Sequence, residues 1–260
     1  MTLADQFDGL LIDLDGVVWI GRDPVPGSAE ALASLLAEGK ELCFVTNNPS
    51  RPPERYAERL REMGVEIGPE RVVTAGMVVA RLAGEAAGGG GAFVLGATAL
   101  KEMVAAAGPS LLEGEAGREA TVVVVSGHRG FDYEELLTAK FALDGGAALV
   151  ATSHDPTMPM PGGDWPGTGA ILAAVETASG RQAEIGGKPE RHLFEMALEA
   201  IGAPERVAMV GDRIASDIDG GRGAGLATVL VLSGASSEAD AEAAEPAPDH
   251  VVANLAALVR

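Results

Sequence analysis

One cysteine in 260 residues leaves no disulfide framework to hold this chain together. That residue, Cys43, lies inside the apolar run Leu42-Cys-Phe-Val45, where a small buried thiol is expected and a reactive one is not. Such cysteine usage suits a reducing compartment. No apolar run approaches membrane-spanning length, and the start lacks a basic region followed by an apolar stretch of signal type. A cytoplasmic location without membrane contact is therefore expected. Aromatic residues make up only 4% of the chain, so the core must be assembled from Ala, Val, Leu and Ile. Positive charge is also scarce, 19 basic residues against 38 acidic ones, and only four of the 19 are lysines. The resulting net charge of −19 repels nucleic acid and anionic lipid, so any anionic ligand must be captured locally.

What the sequence does contain is a regular alternation of short apolar runs and helical patterns, which predicts an α/β fold with a parallel sheet. Strands are expected at Gly9–Asp13, Leu42–Val45 and Val72–Thr74. Helices are expected between them, one capped by Ser28 and closed by Gly39, the next opened by Pro52 and Pro53 and stopped by Gly64. After an Ala-rich helix from Met77 to Ala87 and a four-glycine turn, a second βα series runs through strands at Ala92–Leu95, Thr121–Val125 and Ala148–Ala151. The first rhythm then resumes, with a helix from Pro189, a strand at Val207–Val210, a helix from about Ser216 to Gly225, and strands at Ala227–Leu232 and His250–Val252. The acidic stretch Ala235–Pro248 reads as a solvated connection. This organisation divides the chain into a Rossmann-like parallel-sheet core, residues 1–77 and 184–260, and an inserted α/β domain, residues 78–183.

Three of the apolar runs end in polar residues of a particular kind. Gly9-Leu-Leu-Ile-Asp13-Leu-Asp15-Gly16 ends in two carboxylates, Leu42-Cys-Phe-Val-Thr46 continues into Asn47 and Asn48, and Val207-Ala-Met-Val-Gly211 is followed by Asp212. Placing two acids at a buried strand end costs several kcal/mol unless a cation or a proton relieves it. In open parallel sheets ligands sit beyond the carboxyl ends of the strands, so the three tips are expected to converge. Asp13, Asp212 and the backbone oxygen of Asp15 would form an all-oxygen set suited to Mg²⁺. Lys188, just before a helix start, together with Thr46 and the amides of Asn47 and Asn48, would bind phosphate oxygens. The chemistry this predicts is in-line attack of a carboxylate on phosphorus, followed by hydrolysis of the acyl phosphate. Asp15 is placed to shuttle the proton.

These residues resemble the haloacid dehalogenase-like phosphatases. The similarity is to the subclass with a large βα cap inserted after the second motif, which includes p-nitrophenyl, phosphoglycolate, pyridoxal phosphate and nucleotide phosphatases. Asp13-Leu-Asp15-Gly16-Val17 is similar to the first motif, Val45-Thr46-Asn47-Asn48 to the second and Gly187-Lys188-Pro189 to the third. Gly211-Asp212-Arg-Ile-Ala-Ser216-Asp217 is similar to the fourth. Ser126-Gly-His-Arg-Gly-Phe-Asp-Tyr133 and Pro166-Gly-Thr-Gly169 resemble cap segments. The resemblance implies that Asp13 is the nucleophile and Asp15 the acid and base. It also implies that Asp13, Asp15 and Asp212 hold Mg²⁺ with Asp217 in or beside that set, and that residues 78–183 choose the substrate. Within the cap loop Asp155–Met160, Met158 stands where pyridoxal phosphatases carry a substrate-contacting histidine, and His154 is the other candidate contact. Caps of this subclass often pair, so a homodimer through the cap is the expected assembly, with a small phosphorylated metabolite as partner. Two alternatives stay open from the residues alone: a receiver that holds a phosphoryl group on Asp13, and a phosphotransferase or mutase working on the same site.

Overall fold

A computed structural model describes residues 2–160 and 163–260. The chain divides into two compact units. The outer one comprises Met1–Thr46, Pro53–Val73 and Lys188–Arg260, and the middle one Asn47–Pro52 and Thr74–Gly187.

The outer unit is built on a six-stranded sheet. In spatial order its strands are His250–Val252, Ala227–Val231, Val207–Gly211, Gly9–Asp13, Glu41–Thr46 and Val72–Thr74. Pairings from His250–Val252 through to Glu41–Thr46 are parallel, with Ile12 opposite both Val210 and Phe44. All five residues of Gly9–Asp13 and of Val207–Gly211 are buried, as expected for central strands of a parallel sheet covered on both faces. Leu10, Ile12, Leu32, Leu35, Leu42, Phe44, Leu60, Val210 and Val229 form one continuous core. Each such side chain contributes about 1.5–3 kcal/mol through its removal from water.

The middle unit carries its own all-parallel, five-stranded sheet, ordered Glu184–Ile185, Ala148–Ala151, Val122–Val125, Gly91–Leu95, Ser110–Leu111. A separate apolar core lies against it, including Phe93, Leu95, Val123, Leu149 and Leu172. An antiparallel hairpin, Thr157–Met160 with Gly163–Pro166, precedes the helix Thr168–Ser179. The Arg129 guanidinium sits 4.5 Å from the centre of the Trp165 ring on that hairpin.

Helix Ala75–Ala87 lies in the middle unit, where it packs on helix Thr98–Ala106 and on strands Val122–Val125 and Ala148–Ala151. Strand Glu184–Ile185 also pairs with the middle sheet, and Pro49 of the Asn47–Pro52 segment lies against Gly76. Several local expectations are corrected. Ser28 is the first helical residue and not its cap; its hydroxyl donates to the buried Val18 carbonyl at 2.9 Å. The solvated connection contains a helix, Glu238–Ala243, started by a Ser237–Asp240 capping box. Met158 lies in the hairpin strand, where a loop was expected. No helix among the described residues is long and apolar enough to cross a membrane.

The last strand is fixed by a side-chain clip. Asp249 Oδ2 accepts the Thr228 N–H at 2.8 Å and the Thr228 hydroxyl at 2.7 Å, while Thr228 Oγ1 accepts the Asp249 N–H at 3.0 Å. The hydrogen bonds from Thr228 hold the Asp249 carboxyl below its usual range. Its contribution is therefore present above the unfolded carboxylate value and lost as pH falls through the folded one. Asp249→Ala should lower stability by about 1–2 kcal/mol at neutral pH. In urea melts, the deficit relative to wild type should shrink as pH falls below about 4; a pH-independent deficit would contradict the clip.

Candidate active site

Asp13 and Asp212 leave neighbouring parallel strands at the same end, where the strand order reverses. Glu41–Thr46, which follows in sequence, lies on one side of Gly9–Asp13, and Val207–Gly211 lies on the other. That crevice is where open α/β sheets bind ligands. The chain beyond Asp212 winds into a single wide turn, Ile214–Ile218, of π-helical type. It carries Asp217 back to the strand end, and Asp217 Oδ2 accepts the Arg213 N–H at 3.0 Å. Oxygens of Asp13, Asp212 and Asp217 all lie within 4.8 Å of one another, and all three residues are buried.

Lys188 is the first residue of the outer unit after the middle one ends. It is only 3% exposed, and its ammonium bonds Asp13 Oδ1 and, at 2.6 Å, Asp217 Oδ1. One cation thus faces three carboxylates. Burial works against the charge on Lys188, but Asp13 and Asp217 outweigh it and hold the ammonium above its ordinary value. Burial pushes the Asp13 carboxyl well above the carboxylate range. Lys188 pulls it down, and Asp217 and Asp212 push it up further. Asp212 is raised to about 6, by burial first and then by Asp217, against the opposing Ala235 amide and Lys188.

Asp212 is enclosed mainly by backbone. Its Oδ2 accepts the Ala235 N–H at 2.6 Å, and its backbone oxygen accepts the Ser236 N–H at 3.0 Å. A methyl group at either Gly16 or Gly234 would overlap Asp212 Oδ2, and Gly16 also needs its φ of +92° to turn the chain. The Ser233 hydroxyl donates to the Gly16 carbonyl at 2.7 Å, tying the two loops together. What remains is Asp212 Oδ1, buried and without a hydrogen-bond partner among the described residues. A buried carboxylate oxygen left this way, beside two more carboxylates, fits a hard divalent cation.

Other expected site residues are distributed as follows. Asp15 is exposed, and its Oδ1 accepts the Trp19 indole N–H at 3.0 Å. Thr46 is buried at the end of its strand. Asn47 and Asn48 fall in the middle unit, where Asn47 Nδ2 donates to Asp155 Oδ2 at 3.2 Å and Asn48 Oδ1 accepts the Ser50 N–H at 3.0 Å. His154 is exposed and Met158 half-buried. Sequence reasoning did not find the Ser233–Ser236 loop. Its only signal was a glycine shortly beyond a strand tip.

Comparison with known proteins agrees with this architecture. Residues 10–110 match the family described as haloacid dehalogenase-like hydrolase, and residues 185–258 one described as HAD-hydrolase-like. Chronophin from Rattus norvegicus is 40% identical over 94% of this chain and 82% of its own. The solved structure of a glycerol phosphate phosphatase from Mycobacterium tuberculosis, in complex with magnesium, superposes with a TM-score of 0.90. It is 36% identical over 99% of this chain and 78% of that one. The p-nitrophenyl phosphatase from Archaeoglobus fulgidus also gives 0.90, at 31% identity and 98% coverage of both chains. The chain belongs to the haloacid dehalogenase-like hydrolases and is a phosphoric monoester hydrolase. Similarity to phosphatases over nearly its whole length leaves the receiver alternative without support.

Two outcomes test the carboxylate cluster. Gly234→Ala should raise the magnesium concentration giving a half-maximal melting-temperature shift by about 10-fold or more, as displacing a ligand's support does; an unchanged titration would show that Asp212 tolerates the crowding. Because Asp212 keeps its proton in the folded state up to about 6, the stability it gains from that proton is lost as pH rises from 3.8 through 6. Magnesium should therefore raise the melting temperature more at about pH 7.5 than at about pH 5. Equal shifts at the two pH values would contradict this.

Proposed function

We propose that this phosphatase hydrolyses small phosphate monoesters through a phospho-aspartate on Asp13, with Asp15 as acid and base. The observation that supports the reading best is the single buried cluster in which Lys188 joins Asp13 to Asp217 beside the unpartnered Oδ1 of Asp212. An Asp13 oxygen attacks phosphorus in line and the bond to the ester oxygen breaks. Asp15 gives its proton to that oxygen, and the alcohol leaves. Water then attacks the same phosphorus and passes a proton to Asp15. The bond between phosphorus and Asp13 breaks, regenerating the carboxylate and releasing inorganic phosphate.

Asp13, Asp212 and the Asp15 carbonyl would hold Mg²⁺, with Asp217 close behind. When bound, the ion offsets the charge of the phosphoryl group. Lys188 does the same from the side of Asp13, opposing the rise that burial and the two neighbouring acids give that carboxyl. Thr46, Asn47 and Asn48 complete the reading as neutral donors to the phosphate oxygens. The middle unit acts as the cap that selects the alcohol, through His154 and Met158, and pairs two chains into a dimer. Relatives that act on glycerol phosphate and p-nitrophenyl phosphate support a small, loosely specified alcohol. A cytoplasmic enzyme suits the single buried cysteine.

Turnover of p-nitrophenyl phosphate should require Mg²⁺ and fall about 10⁴-fold or more in Asp13→Asn. Activity that survives this substitution would remove Asp13 from the nucleophile's role. Met158→Ala should change the kcat/KM ratio between two unlike phosphate esters by about 10-fold. Equal losses across a panel of esters would remove the residue from substrate selection.

A further inference from the structure

Asp15 is an exposed carboxylate on a turn, a setting in which a side chain ordinarily samples several rotamers. Here it is not left to do so. Trp19, 1% exposed, gives its one N–H to Asp15 Oδ1 at 3.0 Å, although a buried indole N–H more simply meets a backbone carbonyl. The backbone between the two residues is closed as well. The Gly16 N–H donates to the Trp19 carbonyl at 2.7 Å, and the N–H groups of Val18 and Trp19 both reach the Leu14 carbonyl.

The indole is fixed in turn by helix Pro53–Glu62. Tyr56 lies parallel to it, with ring centres 6.5 Å apart and planes 5° from each other. Arg59, one helical turn further on, places its guanidinium 3.9 Å from the centre of the indole ring. The same guanidinium donates to the Gly21 carbonyl at 2.9 Å, which anchors the small hairpin Trp19–Ile20 with Asp23–Pro24. Helix, hairpin and indole thus form one chain of contacts ending on the Asp15 carboxylate. Folding needs an acceptor for the buried indole N–H, and the acceptor found here is the one carboxylate read as acid and base.

We infer that Trp19 is the positioning residue of this enzyme: held by Tyr56 and Arg59, it fixes the orientation in which Asp15 meets the leaving oxygen. The inference rests on the reading of Asp15 as acid and base. Orientation within a reacting pair is worth a large factor, and a misplacement of about 1 Å can cost about 10²-fold in rate.

Trp19→Phe keeps the aromatic body and removes the N–H. The measurement is kcat/KM and KM on two esters: p-nitrophenyl phosphate, whose phenolate leaves without a proton, and glycerol phosphate, whose alkoxide does not. For glycerol phosphate kcat/KM should fall about 10- to 10²-fold, for p-nitrophenyl phosphate several-fold less, with KM for both within about 2-fold of wild type. Arg59→Met should give the same pattern at smaller amplitude, and it carries the test if Trp19→Phe fails to melt cooperatively. Equal losses on the two esters, or none in either variant, would overturn the inference. Asp15→Asn separates the premise from the conclusion. If it hydrolyses glycerol phosphate normally, the acid and base reading itself has failed; if it is inactive while Trp19→Phe behaves as wild type, only the part given to Trp19 falls.

Discussion

Three buried carboxylates gathered about one buried ammonium are the constraint on which this structure depends. An isolated charge in such a place would cost several kcal/mol, a large share of a domain's net stability, and Lys188 neutralises only part of what Asp13, Asp212 and Asp217 bring together. The remaining imbalance is visible in the raised carboxyls of Asp13 and Asp212 and in the unpartnered Asp212 Oδ1. Folding energy from the aliphatic core of the outer unit is what holds these groups at such proximity. The site is therefore a strained charge arrangement kept by packing, of the kind a divalent cation relieves.

The enclosure around Asp212 shows how the strain is kept local. Gly16 and Gly234 let two backbone segments close on that carboxylate, and the Ala235 amide takes one oxygen so that the other points into the cluster. Asp217 is managed in a similar way, since any side chain at Gly211 would overlap it and the Arg213 amide fixes its second oxygen. The positions of these two carboxylates are thus set largely by main chain, which has few alternative conformations once the flanking strands are paired.

Much of this was legible in the sequence, for a physical reason. Apolar runs that terminate in Asp13, Thr46 and Asp212 mark strand tips, and in a parallel sheet tips at the same end must be near one another. Lys188 stood out because lysine is rare in this chain and because it precedes a helix. The hairpin holding Met158 escaped notice because its residues, Thr157-Met-Pro-Met160, alternate too weakly to read as a strand. Ser28 was misjudged because a serine before a helix usually caps it, while here burial redirects its hydroxyl to Val18. The bond from Trp19 to Asp15 and the embrace of Asp212 by Gly234 were invisible because both depend on side-chain direction and on loops 4 and 22 residues removed along the chain.

The chain has two tryptophans, and the fold deals one to each compact unit: Trp19 to the outer and Trp165 to the middle. Their surroundings differ, the first sealed beside Tyr56 and the second half-exposed under Arg129. Nature has in effect given each half of the molecule its own fluorescent lamp. Replacing either one alone by phenylalanine would let the unfolding of the two sheets be followed separately by intrinsic emission, with no dye attached.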